Sequence, residues 1–142
     1  MGLDLFCGNK YVCFGSYSIV HLIRLYWMKA FIEWMKEQNE LYEDDYNVEY
    51  FVDIIRNNEI DYDKLSDIEL DFKTFIGIKT FVSHSDCEGT WDSMESSDIL
   101  FTLYCIKKYL KQIDKTHFEG DIYYLEDILK YSSKNDMYIR FH

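Results

Sequence analysis

Phe72-Lys73-Thr74-Phe75-Ile76-Gly77-Ile78-Lys79-Thr80-Phe81-Val82-Ser83 is the stretch on which the architecture turns. Phe, Ile, Thr and Val dominate it, the composition of β-strands. We therefore read residues 72–83 as the central strand, with Gly77 marking either a bulge or a break into two strands. Downstream, a polar stretch at 84–92 precedes a helix from Ser93 to about Ile113, with apolar residues at 99, 100, 103, 106, 110 and 113. A further helix is expected from Tyr123 to Tyr131 with Asp121 as its cap, then a last strand over Met137–Phe141. Upstream, residues 59–70 alternate acidic and apolar side chains around a turn of helix near Leu65. Before them a helix runs from Val48 to Asn57, stopped by Asn57-Asn58, and an acidic connection occupies 39–47. The first helix ends near Gln38 and is capped by Ser16 or Ser18, and Leu3–Cys7 reads as a buried strand ended by Gly8-Asn9. The order β-α-α-β-α-α-β implies one α+β domain over residues 1–142, a small sheet covered by about four helices.

Composition narrows the function classes. With 48% hydrophobic and 18% aromatic residues in 142, the chain can build a real core, which excludes intrinsic disorder. Its net charge of −11 opposes phosphate backbones and anionic membrane surfaces, so neither a nucleic acid nor a membrane is an expected partner. The longest apolar run, Ile19–Met35, is interrupted by His21, Arg24, Lys29 and Glu33 and describes an amphipathic helix, not a span. The opening MGLDLFCGNK lacks the pattern of a secretory signal. Cysteines 7, 13, 87 and 105 form no CxxC pair, so a reduced, cytoplasmic protein is expected.

The segment His84-Ser85-Asp86-Cys87-Glu88-Gly89-Thr90-Trp91-Asp92-Ser93-Met94-Glu95 concentrates ligand-type side chains. Set against the calcium loop D-x-[DN]-x-[DN]-G-x5-E, it places His84, Asp86, Glu88, Gly89 and Glu95 at positions 1, 3, 5, 6 and 12. Thr90 would offer its carbonyl at position 7 and Asp92 its carboxylate at position 9. The ligand set is then His84, Asp86, Glu88, Thr90, Asp92 and Glu95, for Ca2+ or a transition metal such as Zn2+. His at position 1, Glu at position 5 and a strand leading into the loop depart from the pattern, and the histidine tilts it towards a transition metal. The simpler reading has Asp92 capping the following helix with Glu95 as its partner three residues on, which satisfies helix-start amides without any ion.

His84-Ser85-Asp86-Cys87-Glu88-Gly89, followed by Trp91 and Glu95, resembles the HSDCDG-type signature of a family of small uncharacterised bacterial and phage proteins. Met1-Gly2-Leu3-Asp4 and the stretch from Ser16-Tyr17-Ser18 to Arg24 are similar to that family's N-terminal region, while Glu88 stands where the signature has aspartate. The resemblance marks a site and implies no reaction.

Three other features compete for a role. Cys87 with His84, His21 or His117 could form a nucleophile–base pair, but Asp86 and Glu88 would raise the thiol pKa, so the chain is read as no enzyme of this kind. His21 and Arg24 share a helix face that Asp4 approaches if the first strand pairs centrally, making either an anion site or a polar helix flank. Cys7 and Cys13 are read as small buried hydrophobes. Glu40, Glu43, Asp44 and Asp45, then Glu59 through Asp71, form a strongly negative middle third. That is either a solvated face or an acidic interaction module for a basic protein partner, comparable in composition to immunity-type inhibitors of basic toxins.

Overall fold

The computed structural model describes residues 2–84, 89–113 and 119–142. Its elements are β1 (Gly2–Cys7), β2 (Lys10–Ser16), α1 (Tyr17–Tyr42), α2 (Val48–Ile54), β3 (Ile55–Arg56), β4 (Glu59–Ile60), α3 (Tyr62–Asp67), α4 (Lys73–Ser83), β5 (Gly89–Trp91), α5 (Ser93–Ile113), α6 (Glu119–Asn135) and β6 (Ile139–Phe141). This is an α+β fold, with a four-stranded antiparallel sheet ordered β2-β1-β6-β5, a β3-β4 hairpin and six helices among the described residues.

The expected central strand over 72–83 is a helix. Thr74, Phe75, Gly77, Ile78, Phe81 and Val82 are its buried residues, and they recur at helical spacing along one stripe. Burial of that stripe outweighs the strand-like composition, because β-propensity largely reports packing context. Gly77 breaks no strand. It lets α4 lie against α5: a Cβ added there would stand 2.0 Å from Thr102 Oγ1 and 2.3 Å from the Asp98 carbonyl oxygen. The Thr102 hydroxyl donates to the Thr74 carbonyl at 2.9 Å across the same contact. Lys79 anchors the other flank, donating to the carbonyls of Ser66 (3.1 Å) and Ile68 (2.8 Å) at the end of α3.

The sheet is therefore assembled from the two ends of the chain and three residues between α4 and α5. Gly8-Asn9 does end β1, but the chain returns at once as β2, a strand missing from the expected order. Val12 and Phe14 point inward and Tyr11 and Cys13 outward, the alternation of a half-buried strand. β6 inserts beside β1, pairing Leu5 with Phe141, and β5 pairs with β6 through Trp91 and Ile139.

α1 is the central helix. Trp27, Met28, Ala30, Phe31 and Met35 are fully buried along it, as its amphipathic run predicts, and Ser16, not Ser18, caps it. It continues to Tyr42 and ends with Glu43 in the left-handed region (φ 54°). α2 stops at Ile54, short of Asn57, because Asn57 and Asn58 both take positive φ (54° and 59°) and turn the β3-β4 hairpin. Asp121 lies inside α6, two residues past its first residue Glu119, and not before its start. No helix among the described residues is long and apolar enough to cross a membrane.

Candidate functional site

Two places carry concentrated polar chemistry: the turn between α4 and α5, and the surface over 40–71.

At the turn, α4 ends at Ser83 and His84 takes an extended conformation (φ −68°, ψ 150°). The His84 imidazole lies over the Phe141 ring at 3.9 Å between centroids and meets Trp91 edge-on at 5.6 Å. Gly89 (φ +109°) passes behind it, where a Cβ would sit 3.0 Å from both Cε1 and Nε2, so this position demands glycine twice over. The His84 carbonyl accepts a 2.7 Å hydrogen bond from Nη2 of Arg24, which is only 3% exposed on α1. Arg24 thus ties the end of α4 to the central helix, while His21 on the same helix is exposed. Asp4 does not join them. It points to the outer face of the sheet with Tyr11 and Cys13, and its carboxylate accepts from the Tyr11 hydroxyl at 3.1 Å.

Asp92 and Glu95 form a reciprocal cap at the start of α5. The Glu95 amide donates to Asp92 Oδ1 at 2.7 Å and the Asp92 amide to Glu95 Oε1 at 3.1 Å. The Ser96 amide bonds the Asp92 carbonyl at 2.9 Å, and Ser93 Oγ donates to Asp136 Oδ1 at 2.5 Å, tying the helix start to the bend after α6. Thr90 is exposed on β5 opposite Arg140. Asp86, Cys87, Glu88 and His117 lie outside the described residues. Among the described residues no three His, Cys, Asp or Glu side chains converge as a metal site. Burial pushes the thiols of Cys7 and Cys105 up, away from the thiolate a nucleophile needs. It also pushes up the Asp98 carboxyl on α5, partly offset by Lys73.

Here the comparisons with known proteins would decide an identity. No protein-family model, no curated protein and no solved structure matches this chain. The geometry alone carries the reading.

The second place is defined by charge. Residues 40–71 hold twelve carboxylates against Arg56 and Lys64, so −10 of the chain's −11 resides there. All twelve except Asp61 are exposed. The ion pairs between described residues join Lys10 to Asp127, Lys36 to Glu33, Lys108 to Glu37, and Lys107 and Lys130 to Glu126; none involves a carboxylate of 40–71. Within this surface a groove of about 450 Å³ runs between the α1–α2 link, α2 and the α3–α4 link. Phe51 and Ile68 are buried along it, and Tyr50 and Leu70 are exposed. Sequence reading identified the acidity and missed the groove, whose walls come from residues 45–51 and 68–72. The available signal was the interleaving of Tyr46, Tyr50, Leu70 and Phe72 with the acids.

Proposed function

We propose that this protein is an acidic interaction module that binds a basic protein partner through residues 40–71. The observation that carries the reading is the segregation of charge: −10 on one contiguous stretch, with no ion pair to another described residue, against −1 on the rest of the chain. A stretch of exposed carboxylates of one sign steers an oppositely charged partner and speeds encounter. The test is fluorescence anisotropy of a labelled lysine-rich peptide titrated with the protein. Binding should weaken steeply as salt rises through the range where the Debye length shrinks below about 10 Å. The Glu43→Lys, Asp44→Lys, Asp45→Lys triple variant should abolish it, while Glu33→Lys with Asp127→Lys, which also adds positive charge, should weaken it much less. Equal loss in both variants would reduce the surface to undirected net charge.

A second reading places a cation at 84–95. It is favoured by α4 being a helix, since a helix–turn–helix with α5 starting just after Asp92 removes one departure from the calcium-loop pattern. The HSDCDG-type resemblance points to the same stretch. Asp92 and Glu95 each keep one carboxylate oxygen outside the reciprocal cap, and His84, Asp86, Glu88 and the Thr90 carbonyl would complete the set. Calorimetric titration of metal-free protein with calcium, zinc and manganese tests it: no heat and an unmoved melting temperature with all three ions would end this reading.

A further inference from the structure

The groove inside the acidic surface says more about the partner than charge does. Its floor is apolar and braced. Phe51 is 3% exposed, and the Tyr46 ring packs on Phe72 at 5.0 Å and Trp34 at 5.7 Å. Asn39 clamps the Tyr46 backbone from both sides, its Nδ2 donating to the Tyr46 carbonyl at 2.9 Å and its Oδ1 accepting from the Tyr46 amide at 2.8 Å. The groove is thus preformed, which lowers the ordering cost of binding. Tyr50 (43% exposed) and Leu70 (42%) are its open apolar walls, and Asp45 and Glu69 are the carboxylates among its lining residues. About 450 Å³ is within the range of small-ligand sites and accommodates one large side chain with its flanking backbone.

Resting on the interaction-module reading, we infer that the groove receives an aromatic or aliphatic anchor residue of a cationic peptide segment, whose flanking Lys or Arg side chains meet the carboxylates around it. The charge selects the occupant. A second copy of this chain offers no cationic excess to match it, being −10 over 40–71 and still −1 over the rest, and an anionic lipid surface would be repelled. A neutral apolar peptide could fill the floor but would leave Asp45 and Glu69 without counter-charge. A basic segment with one apolar anchor satisfies both, the arrangement in which a buried anchor supplies most of the affinity and rim charges supply direction.

The experiment compares two labelled peptides of equal charge, one lysine-rich with a single central tryptophan, the other with serine in its place, titrated with the full chain. The tryptophan peptide should bind about tenfold tighter, the effect of about 1.4 kcal/mol of apolar burial, and both should show the same salt dependence. Leu70→Ser, or independently Tyr50→Ser, should bring the ratio of the two affinities close to one; both side chains are exposed, so neither substitution empties the core. Equal affinities in the unsubstituted protein, with binding still abolished by the 43–45 reversal, would overturn the groove inference and leave the acidic module standing. Failure of both peptides to bind would overturn both. Tight binding of a glutamate-rich peptide with the same central tryptophan would overturn the charge requirement.

Discussion

Carboxylates do opposite work in the two acidic regions of this molecule. At the start of α5, one oxygen of Asp92 and one of Glu95 each accept from the other's backbone amide, so each carboxylate is committed in part to starting a helix. Over 40–71, only Asp61 caps a helix, accepting from the Lys64 amide at 3.2 Å, and the remaining carboxylates face solvent. Composition is alike in the two places; what differs is whether a backbone donor lies within reach. An acidic run is structural where chain geometry brings amides to it and becomes a surface property where it does not.

The largest expected effect tests the frame of the first region. Gly77→Val should destabilise the protein by about 2 kcal/mol or more in urea unfolding, because the added carbons meet Asp98 backbone as well as the Thr102 side chain. A neutral outcome would mean that α4 and α5 can part freely, and the turn they frame would lose its rigidity.

Removing the cap comes next. Asp92→Ala should cost about 1 kcal/mol, and Asp92→Asn, which keeps an acceptor, clearly less. By contrast the Glu43→Lys, Asp44→Lys, Asp45→Lys triple should move the same unfolding curve by less than about 0.5 kcal/mol, in the stabilising direction, since it relieves repulsion among exposed groups. Should the triple destabilise as much as Asp92→Ala, the contrast between the regions would collapse.

The smallest effect depends on pH. Burial raises the Asp98 carboxyl above its ordinary 3.8, so the folded state holds this proton more tightly than the unfolded chain. The associated stability is fully present below that value and is lost as pH rises through the raised one. Asp98→Asn should therefore flatten the stability profile across and just above the ordinary carboxylate range, measured as melting temperature against pH. An unchanged profile would remove this coupling from α5.

Legibility in the sequence varied with how local each signal is. α5 could be read to its ends because its apolar residues keep helical spacing over about four turns and Asp92 with Glu95 marks its start. The burial of α1 was largely plain, since His21, Lys29 and Glu33 leave a broad apolar face, but Arg24, read on the polar side, is itself buried against the His84 carbonyl. β2 was legible in principle from the inward Val12 and Phe14 alternating with outward Tyr11 and Cys13. β5 was not, because a three-residue strand exists only through its partner β6, some fifty residues away. At the candidate sites, the Asp92–Glu95 cap and the acidity of 40–71 were both visible. Arg24 holding the His84 carbonyl was not, because the two lie sixty positions apart.

By itself, the sequence determined the helical periods of α1 and α5, the capping chemistry at Asp92 and the sign and location of the surface charge, since each depends on residues within a few positions of one another. Only the tertiary structure decided that Phe72–Ser83 is covered as a helix and not paired as a strand, and that two separated acidic links close around an apolar groove. The physical reason is the same in both cases: a side chain's burial depends on what the rest of the chain brings against it, and no local pattern encodes that neighbour.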